Sequence, residues 1–159
     1  MSVLEQLRSG VSTASAAQTR AIAAAMAAEL PAEVTLALHG DLGVGKTTFV
    51  QGLALGFGIR EPVTSPTFTL YRIYRAISGD AGVPGGRMLA HFDAYRLEGQ
   101  GQAEPLALEE FLTTPWCLAV EWPDNVASWL PREAWHLHLG IAGDLTHTLK
   151  LRGHAATDR

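Results

Sequence analysis

The sequence predicts an α/β fold of the P-loop NTPase type: a single domain over residues 1–159, with a mixed β-sheet, helices packed on it and a C-terminal β-hairpin. Three observations predict it. The stretch "HGDLGVGKTTFV" (39–50) sets two glycines, separated by four residues, before Lys-Thr, which is the spacing of a phosphate-holding loop. Apolar, β-branched runs alternate with helical stretches, the order expected of helices packed on a sheet. The chain has 159 residues and is 47% hydrophobic, enough for one sizeable core.

The elements follow in order. Residues 12–30 read as an alanine-rich helix, with Ser12 or Ser15 as cap and Pro31 just past the end. "EVTLALHG" (33–40) is a short apolar run ending in glycine, and predicts a buried strand. A helix runs from Lys46 to about Leu55, where Gly56 and Gly58 supply stop signals. "VTSPTFTLYRIYRA" opens as a loop around Ser65 and Pro66 and continues as an alternating strand. "SGDAGVPGG" (78–86) is a flexible hairpin loop, and "RMLAHFDAYR" is the returning strand. A short helix is expected near 104–113, then "WCLAVEWP" as a buried strand closed by Pro123. The segment "AWHLHLGIAGDLTHTLKLRG" alternates on both sides of Gly143-Asp144 and predicts an edge hairpin. Residues 154–159 read as a disordered tail.

Composition narrows the function classes. A formal net charge of −4 argues against a surface that grips nucleic acid through many phosphates, while leaving room for a local basic patch. The one cysteine, Cys117, lies in an apolar run, where a buried inert thiol is expected and no internal disulfide can form. No stretch resembles a targeting segment or a membrane span, so the expectation is a cytoplasmic protein. The six histidines show no zinc-site spacing with cysteine and are read as structural or surface groups.

The glycine-rich loop carries the chemistry. Glycines let successive N–H groups turn inward around a phosphate, and the helix starting near Lys46 adds its positive end. Lys46 reaches the β- and γ-phosphates and the Thr47 hydroxyl can ligate Mg²⁺. A chance match in a chain of this length arises in about one sequence in a hundred or fewer. One of only two lysines, against ten arginines, falls here. The expected nucleotide contacts are Asp41, Leu42, Gly43, Val44, Gly45, Lys46, Thr47 and Thr48. Asp93 and Glu121 each end an apolar strand. Strand ends beside such a loop are where ligands gather, and a carboxylate there is costly to bury unless paired or metal-bound. Asp93 can hold Mg²⁺ or orient water, and Glu121 can hold Mg²⁺. Ser65, Pro66 and Thr67 have the make-up of a switch segment, Trp122 is either a stacking, partner-facing ring or a packing one, and Arg72, Arg75 and Arg96 are either charge-stabilising or solvated.

Together "GDLGVGKTT", "VTSPTFTL" (63–70), "HFDAYRL" (91–97) and "VEWPD" (120–124) resemble the TsaE family of small P-loop ATPases of bacterial tRNA threonylcarbamoyladenosine synthesis, in the family's order and at similar spacing. The resemblance implies an ATP- and Mg²⁺-dependent accessory subunit, weak alone and stimulated by the partner proteins TsaD and TsaB, with tRNA reached indirectly through them. It implies Lys46, Asp93 and Glu121 as catalytic residues, Thr47, Glu121 and Asp93 as metal ligands, and Thr19 near the adenine. The chain departs from the family's pattern at Ala94, where leucine is usual, at Ala107, where glycine is usual, and at Gly143-Asp144, where glycine–arginine is usual. Two other functions compete: a small-molecule kinase, which would add an arginine-bearing lid, and a nucleotide-gated binding module with negligible turnover.

Overall fold

The computed structural model describes residues 2–41, 43–65, 71–76, 87–95, 97 and 108–152. The expectations for Leu42, Pro66, Thr67, Arg96, the 78–86 loop and the 154–159 tail lie outside these residues, as does the beginning of the helix expected near 104.

The chain opens with a helix that the periodicity did not reveal, α1 (Val3–Ser9), closed by a reciprocal capping box between Ser2 and Glu5. The alanine-rich segment is shorter than expected. Its first residues form a strand, β1 (Val11–Thr13), and the helix α2 (Ala16–Ala27) starts only after Ser15, whose side chain accepts a bond from the Gln18 N–H. Ser15 is the cap, not Ser12. Next come β2 (Glu33–His39), α3 (Lys46–Gly56), β3 (Tyr71–Arg75) and β4 (Met88–Asp93). The described part of the segment near 104–113 forms a 3₁₀ turn, Leu108–Phe111. Then follow β5 (Trp116–Glu121), a second 3₁₀ turn (Pro123–Val126), β6 (Trp135–Ile141) and β7 (His147–Arg152).

Among the described residues the strands form one seven-stranded sheet in the order β1-β7-β6-β2-β5-β4-β3. The central strands β6, β2, β5 and β4 run parallel, while β1, β7 and β3 pair antiparallel. The C-terminal hairpin is therefore not at the edge. β1 covers its outer strand, pairing Val11 with Leu149 and Thr13 with His147.

One face of the sheet is roofed by the helices. Leu7 of α1, Ala23 and Met26 of α2, and Phe49, Val50 and Leu53 of α3 are buried in one cluster with Leu36, Leu38, Leu89, Cys117 and Leu137. Burying each large side chain stabilises by about 1.5–3 kcal/mol. The helices α2 and α3 touch closely because Gly52 has no side chain, and a Cβ there would lie 2.5 Å from the Arg20 carbonyl oxygen. The opposite face carries a smaller cluster. Ala90, Phe92, Leu118 and Val120 are covered by Val126, Trp129 and Leu130 from the chain after β5. Cys117 is buried, and desolvation pushes its thiol up to about 12, so it is an inert packing group.

Candidate nucleotide site

Three parallel strands end together. The register sets Leu38 of β2 beside Glu121 of β5, and Glu121 beside Asp93 of β4. The chain leaving β2 becomes the loop, so its glycines and the two carboxylates share the carboxyl edge of the sheet, where α/β proteins bind ligands. Gly40, Gly43 and Gly45 have φ of 149°, 82° and 98°, conformations that L side chains rarely adopt. Gly40 also has no room for a side chain, because a Cβ would lie 2.7 Å from the Leu139 carbonyl oxygen. α3 starts at Lys46 with no side-chain cap on Gly45, so the helix turns uncapped N–H groups and its positive end toward the loop.

The Lys46 ammonium is buried with 5% of its surface exposed. It donates to the Gly40 carbonyl at 2.6 Å and lies 3.8 Å from the centre of the Trp122 ring. Burial lowers its pKa, and the nearby carboxylates of Glu121, Asp93 and Asp41 oppose that shift. Trp122 has a left-handed backbone, φ 57°, and its ring meets that of Tyr95 at 5.0 Å. Burial raises the Asp93 carboxyl, partly offset by the Tyr95 N–H that donates to it at 2.9 Å.

Glu121 is 4% exposed, and the fully buried His91 bonds its carboxylate through Nε2 at 2.5 Å. The other ring nitrogen, Nδ1, has no partner. A neutral ring with its proton on Nε2 leaves only a lone pair unmatched, whereas an imidazolium would bury an unmatched N–H. His91 is thus a buried partner of the Glu121 carboxylate and not a surface histidine. Sequence reasoning had only its place two residues before Asp93 as a signal.

A second histidine was likewise missed. His147 of β7 donates from Nδ1 to the Val44 carbonyl at 2.9 Å and fastens the loop to the far hairpin. Thr13 is paired with His147 across the strands and shares a 2.6 Å hydrogen bond with Thr19. Thr19 is 2% exposed and is linked toward the loop through Thr13. Asp41 and Gly43 are exposed, while Thr47 and Thr48 are partly buried on the first turn of α3. Arg72 is engaged by Thr64 and Glu61, and Arg75 by Thr113, which makes both surface groups. Asp144, standing where arginine is usual, accepts from the N–H and hydroxyl of Thr146 and closes the β6–β7 turn. At the buried Ala94, the carbonyl accepts from the Asn125 side chain at 2.8 Å.

The donors at the site suit Mg²⁺. A Thr hydroxyl and two carboxylates are hard oxygen ligands, and this ion uses one or two carboxylates with phosphates rather than a complete protein cage. Among the described residues no group of three or more His, Cys, Asp or Glu able to hold a metal occurs.

Comparison with known proteins agrees with this geometry. The family model described as "Threonylcarbamoyl adenosine biosynthesis protein TsaE" matches residues 13–148. The tRNA threonylcarbamoyladenosine biosynthesis protein TsaE of Bacillus subtilis is 39% identical over 80% of this chain and 74% of its own length. That of Treponema pallidum is 39% identical over 67% of this chain and 73% of its own. The crystal structure of Bacillus subtilis YdiB superposes with a TM-score of 0.68 at 31% identity, covering 92% of this chain and 86% of that one. With a family match that spans the strand-end cluster and the loop alike, this chain belongs to the TsaE family.

Proposed function

We propose that the chain binds and hydrolyses ATP with Mg²⁺ as an accessory subunit in the formation of N6-threonylcarbamoyladenosine at position 37 of tRNAs reading ANN codons. It works in the cytoplasm with TsaD and TsaB, which hold most of the tRNA. Membership of the TsaE family supports the pathway. The observation that carries the chemistry is the convergence of loop, Lys46, Asp93 and Glu121 at one sheet edge.

In this reading the loop amides and the start of α3 receive the phosphates. Lys46 exchanges the Gly40 carbonyl and the Trp122 face for the β- and γ-phosphate oxygens. Thr47 and Glu121 would hold Mg²⁺, which would offset the charge of the phosphates when bound. His91 fixes the Glu121 carboxylate for that task. Asp93 stands at the neighbouring strand end and orients the attacking water. Thr19 lies toward the adenine side, and the segment Ser65, Pro66 and Thr67 senses the γ-phosphate. Trp122, already on Lys46, reports occupancy to a partner.

The test is ATP turnover by the purified chain, alone and with TsaD, TsaB and tRNA, for wild type and Lys46→Ala. Turnover that rises with the partners and disappears in the variant is expected. Wild-type turnover that is unchanged by them, or equal to that of the variant, rejects the reading.

A further inference from the structure

The described helices pack on one side of the sheet. On the second face the chain after β5 covers β4, β5 and β2, where Thr35 and Ala37 are buried and the turn Pro123–Val126 touches β2, while β6 and β7 beyond it present exposed side chains. The register places His39, His138 and Lys150 in one row across this face, and His136 and Arg152 in the next. Residues paired across strands share a face. Adjacent strands are about 4.8 Å apart and successive same-face rows about 7 Å apart. His138, Lys150 and Arg152 are exposed, while His39 and His136 are partly buried.

The rings are ordered. His39 and His138 stack at 4.4 Å with their planes 8° apart, and His39 Nε2 and His136 Nδ1 share a hydrogen bond of 2.8 Å. Arg152 and Lys46 act on the stacked rings as cations and Asp124 as the carboxylate. In a chain of net charge −4 with two lysines, this is a local reversal of sign. It combines cations with an exposed, stacked aromatic ring, the pairing by which open sheet faces receive unpaired bases and their phosphates.

We propose that this face binds a single-stranded segment of RNA directly, with Lys150 and Arg152 on neighbouring phosphates and the His138–His39 stack beneath a base. The choice of RNA among polyanions rests on the role in tRNA modification, but the contact needs no ATP hydrolysis. It adds a direct hold to the one supplied by partner proteins.

The experiment measures fluorescence anisotropy of a labelled tRNA transcript and of a short unstructured oligoribonucleotide against salt, with polyglutamate as competitor. The whole chain is compared with Lys150→Gln/Arg152→Gln and with His138→Ala, and ATP binding is measured in parallel. The double variant is expected to weaken RNA binding about tenfold and to flatten the log–log salt slope by about 1.4, at roughly 0.7 per phosphate on a single strand. His138→Ala is expected to weaken it about fivefold or more. ATP binding stays unchanged in both variants, whereas Lys46→Ala loses ATP and keeps RNA, so the two readings fail separately. Absence of RNA binding, unchanged affinity in the double variant, or competition by polyglutamate as strong as by RNA overturns the proposal. The last outcome points to an acidic protein partner instead.

Discussion

Two buried cations stand at opposite ends of the parallel strands, and they are held in different ways. Arg87, 9% exposed and just before β4, donates to the carbonyls of Pro31 and Trp116 and lies 4.7 Å from the centre of the Phe57 ring. Lys46, at the other end, has one carbonyl, the Trp122 ring and several carboxylates around it. Burial lowers the pKa of both. The guanidinium is shared by three separate backbone and ring partners and fastens β4 to β5 and to the chain before β2. The ammonium has one direct bond on a flexible stem and opposite charges nearby, so it can move to a new anion. Similar burial thus serves anchoring at one end and readiness at the other.

Paired substitutions at the two ends break or sharpen this contrast. Lys46→Ala should lower ATP turnover at least about a hundredfold. Next in size, Arg87→Met should destabilise by about 1–3 kcal/mol, because two part-buried carbonyls lose their donor. Calorimetry reads that loss, and ATP affinity at 25 °C should hardly change. A fall in ATP affinity as large as that of Lys46→Ala would erase the distinction.

His91→Phe should raise the Mg²⁺ concentration for half-maximal turnover by about 10- to 100-fold, and His91→Gln, which keeps a donor, should recover part of it. An equal loss in both variants, with unchanged Mg²⁺ dependence, would reduce His91 to packing. His147→Phe removes one hydrogen bond from the loop, worth about 0.5–1.5 kcal/mol, so ATP binding should weaken only a few-fold by titration calorimetry.

The smallest effect is on acid stability. Burial first, then the neighbouring His138 and His136, lowers His39 from 6.5 to about 4. The unfolded chain therefore takes up a proton that the folded chain refuses as pH falls from 6.5 toward 4, and stability drops over that window. Solvent screening of this partly exposed ring limits the loss to on the order of 1 kcal/mol. His39→Asn should flatten that part of the urea midpoint against pH.

What could be read from the sequence was what is local. The loop, α3 and the strands β2 and β5 announce themselves by spacing and by apolar runs, and the two strand-end carboxylates follow from those runs. Ser2 and Glu5 held a legible capping signal for α1 that the reading passed over. β1 has three residues and exists because β7 is there to pair with it, so no local pattern marks it. The roles of His91 and His147 depend on which strands become neighbours, since their partners Glu121 and Val44 are distant in the chain. The interior place of the hairpin was hidden for the same reason.

The bond between His147 and the Val44 carbonyl has a consequence in time. The phosphate loop is made early on the ribosome, yet its fastening residue emerges more than a hundred positions later, and β6, the neighbour of β2 on that side, begins only at Trp135. Domains fold as their parts become available. A nascent chain or a fragment ending before His147 therefore presents the glycine loop unfastened, and one ending before Trp135 also leaves β2 with an open flank.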